Sequence, residues 1–268
     1  MIDLGKRNVL GILIDAVDYE AATARIIAAA RDRRPYAVSA LAVHGVMTGA
    51  RDDVHSYRLN RFDMLTPDGQ PVRWALNLLH GTKLPDRVYG PTLMLRVCQQ
   101  AAAEGLPVFL YGSAPTVLER LVPALQARVQ GLQIAGTQPS RFRRTTEDEK
   151  RSIAENIHES RARIVFVGLG CPRQEVFAYE YRDALSMPVV AVGAAFDYHA
   201  GLLREPSPVV QRAGLQWLYR LAQDPRRLWR RYAFGNAAYV GGVLAQLLRL
   251  SYLEPMKGSA PEDEVLHG

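Results

Sequence analysis

Several short stretches bring together residue types that do chemistry. Thr66-Pro67-Asp68-Gly69 follows the apolar run Phe62 to Leu65 and offers a carboxylate where a buried strand would end. A carboxylate there can take the proton of an attacking hydroxyl or bind a sugar hydroxyl, and Pro-Asp-Gly is also favoured turn chemistry. Tyr111-Gly112-Ser113-Ala114-Pro115 follows Pro107 to Leu110 and precedes a helical pattern. A strand, a glycine turn and a helix N-terminus together can accept a phosphate through backbone N–H groups. The stretch lacks the full dinucleotide fingerprint and a P-loop lysine, so a plain connector is the competing reading.

Gly168-Leu169-Gly170-Cys171-Pro172-Arg173-Gln174-Glu175 follows Ile164 to Val167 and is the most specific local signal. Gly168 and Gly170 permit close backbone approach to a ligand. Pro172 suits a first helical turn, and Arg173 and Gln174 project polar groups from it, which favours ligand binding over a bare turn. Cys171 has no histidine partner in sequence and reads as a small packed residue. In Val192-Gly193-Ala194-Ala195-Phe196-Asp197-Tyr198 the small residues leave room beside a pocket. Asp197 can accept hydrogen bonds from a ribose or base, or cap a helix. Arg87, taken alone, reads as a solvated surface charge. His44, His55 and His80 are not at metal-ligand spacing, and Asp52-Asp53 is not an Asp-x-Asp pair, so no metal motif appears.

These stretches need elements that converge. The apolar runs Val9 to Ile14, Tyr36 to Val43, Phe62 to Leu65, Pro107 to Tyr111, Ile164 to Val167 and Pro188 to Val192 predict buried strands. Amphipathic patterns lie between them. One is capped by Asp18, one runs from Thr116 to Gln130 with a kink or break expected at Pro123, and one starts at the capping boxes of Thr145 to Glu149. Near-continuous apolar strands alternating with helices predict an α/β fold, a parallel sheet covered on both faces. In such sheets ligands bind beyond the carboxyl ends of the strands, where the candidate residues fall.

A chain of 268 residues with 48% hydrophobic and 22% charged residues buries a sizeable core and is neither disordered nor fibrous. Two cysteines cannot build a disulfide framework, which fits a reducing, cytoplasmic setting. The first residues lack a signal-peptide core, and no stretch reaches the roughly 20 apolar residues needed to cross a bilayer. Arg204 to Lys257 carries nine basic residues against three acids, an excess equal to the formal charge of the whole chain, +6. A local basic field implies an anionic partner. We therefore divide the chain into a core, 1–203, a basic helical appendage, 204–257, and a polar tail, 258–268, expected to be disordered. In the appendage Asp224 and Pro225 open a helix. Arg227 and Arg231 share one face and Leu228 and Tyr232 an adjacent stripe, a pattern suited to an anionic membrane surface or to packing on the core.

The order of Thr66-Pro67-Asp68-Gly69, Pro85-Asp86-Arg87-Val88-Tyr89-Gly90, Val108 to Gly112 and Gly168 to Glu175 resembles the WecG/TagA/CpsF glycosyltransferase family. Gly193 to Asp197, Gly214 to Arg220 and Pro225 to Tyr232 continue the likeness, which runs from about Gly11 to Tyr232 in consistent order. The resemblance implies a Rossmann-like core and an inverting transfer from a UDP-sugar to a polyprenyl-diphosphate-linked glycan. It places the protein peripherally on the inner face of the bacterial plasma membrane, with no obligatory metal or other cofactor. It makes Asp68 the catalytic base and sets Arg87 near the donor phosphates. Gln174 and Asp197 line the nucleotide-sugar pocket, and Arg220, Arg227 and Arg230 reach in from the appendage. Ser39 stands where the family shows Thr or Ser, but the Asn usual two residues on is Leu41, which puts the usual N-acetylmannosamine specificity in question. A homo-oligomer is compatible with the resemblance, although no periodic apolar face demands one.

Two other readings compete. A nucleic-acid-binding protein would use the arginine–aromatic interleaving, but the basic segment has no recognition-helix motif. A nucleotide-dependent oxidoreductase would need G-x-G-x-x-G after the first strand, where Gly11 stands alone.

Overall fold

The computed structural model describes residues 1–223, 225–255 and 258–268. Of Pro208, Arg227, Leu228, Arg230, Arg231, Tyr232 and Ala233 only the backbone is described. In chain order the elements are β1 Asp3–Val9, β2 Ile12–Val17, α1 Tyr19–Arg31, β3 Tyr36–Leu41, α2 Val43–Arg51, α3 Asp53–Asn60, β4 Met64–Pro67, α4 Gln70–His80, α5 Gly90–Ala103 and β5 Val108–Tyr111. Then follow α6 Pro115–Arg128, β6 Ile134–Gln138, α7 Glu147–Glu159, β7 Ile164–Val167, α8 Arg173–Leu185, β8 Pro188–Ala191, α9 Ala195–His199, α10 Pro208–Arg212, α11 Gln216–Gln223 and α12 Pro225–Leu247.

Six strands form one sheet in the order β4-β3-β8-β7-β5-β6, and every pairing in it is parallel. This is the Rossmann-like α/β arrangement that the alternating apolar runs predict. Side chains alternate between its faces. Val108 and Leu110 enter the core beneath α1, α5, α6 and α9, while Phe109 and Tyr111 enter the core beneath α2, α3, α7 and α8. On the second face Phe177 lies between Tyr111 and Tyr181, with ring centroids 4.3 and 3.9 Å apart. The stack ties α8, which carries the Gly168 to Glu175 motif, to the end of β5.

Local rules fix several boundaries. Asp18 caps α1 by accepting from the Ala21 N–H, and Thr146 with Glu149 forms a complete capping box on α7. The expected first strand, Val9 to Ile14, is instead an antiparallel hairpin, β1 with β2. Its two-residue turn, Leu10-Gly11, has both φ angles positive, 53° and 84°. That mirror-image turn matches the strand twist, and Asn8 Oδ1 accepts from the Gly11 N–H at 2.7 Å. The run Val9 to Ile14 is apolar throughout, so periodicity alone does not show the reversal. The break expected at Pro123 does not occur, because α6 runs through it. Pro123 and Glu119 one turn before it are both exposed, so water can serve the carbonyl that the proline leaves unpaired. β6 was not expected. It is a short edge strand with no alternating apolar pattern.

The appendage packs back onto the core. Helix α12 lies against α2 and α4, Tyr239 and Val243 enter the core, and Gln246 bonds the hairpin at the Leu10 N–H and the Asn8 carbonyl. Its other side leaves Phe234, Val240, Leu244, Leu247 and Leu248 exposed. This is a periodic apolar face that the sequence reading did not find. Asp224 and Lys257, at the expected ends of this unit, lie outside the described residues, as do the side chains of Arg227, Leu228, Arg231 and Tyr232. Among the described residues no helix is long and apolar enough to cross a membrane. The tail, expected to be disordered, is placed on the core. Glu180 accepts from the Val265 and Leu266 N–H groups, and Thr145 donates to the Leu266 carbonyl. A buried carboxylate that receives two backbone donors gives a polar segment a specific seat.

The aromatic stack carries a stability prediction. Phe177→Ala removes a fully buried ring between two others and is expected to cost about 3–5 kcal/mol of unfolding free energy. Urea denaturation followed by circular dichroism measures it, and a loss below about 1 kcal/mol would mean that the stack does not hold α8.

Candidate active site

A cleft of about 490 Å³ opens at the carboxyl ends of the central strands. Residues at or just beyond the ends of five strands line it: Leu41 and Ala42 at the end of β3, Asp68 after β4, Ser113 after β5, Gly168 to Glu175 after β7, and Val192 to Ala195 after β8. A second pocket of about 110 Å³ lies between α4 and the appendage, lined by His44, Gly69, Gln70, Arg87, Trp217 and Asn236 among others. Ala42, Asp68, Tyr89 and Arg220 belong to both. Asp68 thus stands where the two spaces meet.

The strand-end position of Asp68 comes from its backbone. Its N–H bonds the Leu41 carbonyl, and Gly69 then caps α4, with Pro71 in the first turn. The turn reading and the site reading of this motif both hold. Asp68 Oδ1 accepts from the Gly90 N–H at 2.7 Å, at the very start of α5. A Cβ at Gly90 would stand 3.1 Å from the Val192 carbonyl and 3.3 Å from Ala40, so glycine lets this helix end approach the carboxylate. Burial pushes the Asp68 pKa above the usual carboxylate range, and Arg87, the Gly90 N–H and Arg220 only partly offset it. A carboxylate tuned upward while it keeps an opening onto a cleft suits proton transfer.

Arg87 differs from the solvated surface charge its sequence context suggests, since it is 6% exposed. Its guanidinium donates to Gln216 Oε1 at 2.5 Å and to Gln211 Oε1 at 2.9 Å, and it lies over the Tyr89 ring at 4.2 Å. Gln216 also donates to the Tyr89 hydroxyl at 2.8 Å. Both glutamines come from the appendage, so the appendage covers this arginine and completes the smaller pocket.

The Gly168 to Glu175 motif forms the floor of the larger cleft. Pro172 follows a cis peptide bond and stands at the N-cap of α8, one residue before the first turn expected for it. Gln174 Oε1 accepts from the Gly170 N–H at 3.2 Å, and its side chain lies against Gly193. Gly112 has φ +103°, and a Cβ on it would meet the backbone of Gly168 at 3.2 Å, so this turn seats the β5 and β7 loops side by side. Asp197 lies within α9, where Ala194 is the N-cap, and it lines the cleft.

Of the residues singled out in the sequence, Asp68, Ser113, Gly168, Gly170, Pro172, Arg173, Gln174, Asp197 and Arg220 meet in the larger cleft. Gly69 and Arg87 line the smaller pocket with Asp68 and Arg220. Three do not reach either space. Strand alternation turns Tyr111 into the aromatic stack, Gly112 serves loop packing, and Ser39 is fully buried against Glu175. The side chains of Arg227 and Arg230 lie outside the described residues. Tyr89, Tyr198, Glu175, Gln211, Gln216 and Trp217 were not singled out. Tyr89 and Gln216 sit inside motifs quoted for the resemblance, which was the signal that could have found them. Among the described residues no three His, Cys, Asp or Glu side chains group as metal ligands do.

The raised Asp68 pKa has a consequence for stability. The native state binds this proton more tightly than the unfolded chain does, so the group stabilises the fold at low pH and loses that contribution as pH rises through the native pKa. Asp68→Asn keeps an acceptor for Gly90 and never ionises. It is expected to unfold at a higher temperature than the wild-type protein at pH 7, with the gap closing toward about pH 4. Thermal unfolding across that range measures it, and equal melting temperatures at pH 7 would refute the desolvation of Asp68.

Comparison with protein families agrees with this architecture. A model described as the glycosyl transferase WecG/TagA/CpsF family matches residues 7–252. That span takes in the sheet, both pockets and nearly all of the appendage. The chain belongs to this family, and it is a glycosyltransferase.

Proposed function

We propose that the protein is an inverting transferase that moves a sugar from a UDP-sugar to a hydroxyl of a polyprenyl-diphosphate-linked glycan. The observation that carries the reading is the place of Asp68, a half-buried, upward-tuned carboxylate where two pockets of unequal size meet. The larger cleft, floored by the Gly168 to Gly170 turn and walled by Ser113, Arg173, Gln174 and Asp197, fits a nucleoside diphosphate sugar. The smaller pocket beneath the appendage, with Arg87, Gln70 and Trp217, fits the acceptor sugar and its phosphates.

In this scheme Asp68 takes the acceptor hydroxyl proton as oxygen attacks the donor anomeric carbon from the side opposite the UDP. Arg220 and Arg173, both lining the larger cleft, offset the charge on the departing diphosphate. Arg87 faces the smaller pocket and not the larger cleft, so its charge serves the acceptor side more than the leaving group expected from the resemblance. The appendage closes over both partners and limits water, which would otherwise hydrolyse the donor. The scheme assigns no step to a metal or cofactor.

The lipid-linked acceptor also accounts for the outer face of α12. Its apolar row is flanked by exposed Arg226 and Arg249, a composition suited to an anionic lipid surface on the cytoplasmic side of a bacterial plasma membrane.

Two experiments test the reading. A panel of UDP-sugars is offered with a lipid-diphosphate sugar, and transfer or donor hydrolysis is followed. Asp68→Asn is expected to lower turnover by about 10²–10⁴-fold while UDP affinity stays within about twofold. Near-normal turnover would take Asp68 out of the role of base. In flotation with phosphatidylglycerol vesicles the wild-type protein is expected to bind, less so as salt rises. The double variant Leu244→Glu with Leu248→Glu is expected to stay in solution. Undiminished flotation of that variant would mean that the α12 face is not the contact.

A further inference from the structure

Glu175 lies on the first turn of α8 with its carboxylate almost fully buried, 1% exposed. One of its oxygens receives two donors. Ser39 Oγ reaches Oε1 at 2.9 Å and Gln174 Nε2 reaches the same atom at 2.8 Å. The Cys171 thiol also lies against this carboxylate. The far end of Gln174 accepts from the Gly170 N–H and touches the Gly193 turn. A continuous polar chain therefore runs from Ser39 in β3, through Glu175 and Gln174, to the loops after β7 and β8. It spans three neighbouring strands, β3, β8 and β7.

Ser39 is 0% exposed and lines neither pocket. Its hydroxyl is spent on Glu175, so its effect on a ligand has to be indirect. Gln174 lines the larger cleft, and its amide orientation is set by what each end bonds. A carboxylate at one end forces the NH₂ toward Glu175 and the carbonyl toward Gly170. We propose that Glu175 is a positioning residue of the donor site. It fixes the Gln174 amide and the Gly170 and Gly193 turns in the geometry that receives the nucleotide, and Ser39 acts only by holding Glu175. This inference rests on reading the larger cleft as the donor site.

A buried carboxylate used only for packing is a poor filler, since an apolar side chain of similar size costs less desolvation. Burial also holds the Glu175 pKa above the usual carboxylate range. What the carboxylate supplies that an apolar group lacks is a pair of directed acceptor contacts; Glu175 borders the cleft but is only 1% exposed, so these contacts reach a ligand chiefly through Gln174.

The test measures UDP affinity by isothermal titration calorimetry. Glu175→Met keeps an unbranched side chain of similar volume and removes both acceptor contacts. It is expected to weaken UDP binding by about 5–30-fold. Ser39→Ala, which deletes a group remote from the ligand, is expected to weaken it by about 3–10-fold. In a Gln174→Ala background each of these substitutions is expected to change UDP affinity by less than about twofold, because the route to the cleft is already cut. A merely structural role would lower the melting temperature and leave the losses additive. Wild-type affinity in Glu175→Met and Ser39→Ala, or losses that simply add to that of Gln174→Ala, would overturn the inference. If Glu175→Met does not fold, the Ser39→Ala and Gln174→Ala cycle decides alone, since Glu175 is the link between those two side chains. A wild-type protein that does not bind UDP would overturn the donor reading itself, and the positioning role with it.

Discussion

The site is organised around a carboxylate held in a place that disfavours its charge. Asp68 is set among packed strand ends, and the Gly90 N–H bonds it directly. Two arginines, Arg87 and Arg220, supply the remaining positive field. Desolvation outweighs these contacts and holds the pKa above the usual carboxylate range. Every neighbouring element bears on that balance. β4 delivers the residue, α5 brings its N-terminal N–H group to it, and the appendage contributes Arg220 directly and Arg87 through Gln211 and Gln216.

The appendage is therefore part of the site and of the core at once. Its inner face contributes Tyr239 and Val243 to the hydrophobic core and Gln246 to the hairpin turn. Its loop and short helices close the smaller pocket. Its outer face keeps a row of apolar side chains in contact with solvent. An exposed row of this kind marks a surface that meets an apolar partner. Arg87 shows the same dual dependence. Without α10 and α11 it would be a surface charge, as its local sequence suggests.

The larger cleft depends on a different device. Its walls come from loops that have no regular hydrogen bonding of their own, and side chains hold them instead. Gly112 lets the β5 turn press on Gly168, the aromatic stack fixes α8 from below, and the polar chain through Glu175 links β3 to the β7 and β8 loops. These contacts join residues far apart in sequence; Ser39 and Glu175 are 136 positions apart. A frame of this kind keeps the walls of the cleft in register.

The sequence alone determined what depends on short-range order. The apolar runs predicted five of the six parallel strands, Asp18 and Thr146 predicted their caps, and the glycine and proline punctuation put Asp68, Gly168 and Asp197 beyond strand ends. These features follow from periodicity, backbone stereochemistry and capping, which act within a few residues. The tertiary structure decided what depends on who meets whom. It turned Val9 to Ile14 into a hairpin, buried Arg87 under glutamines from a distant helix, drew Ser39 and Tyr111 inside, and gave Glu175 its two donors. Burial and side-chain partnership are set by chain crossings far apart in sequence, and no local pattern records them.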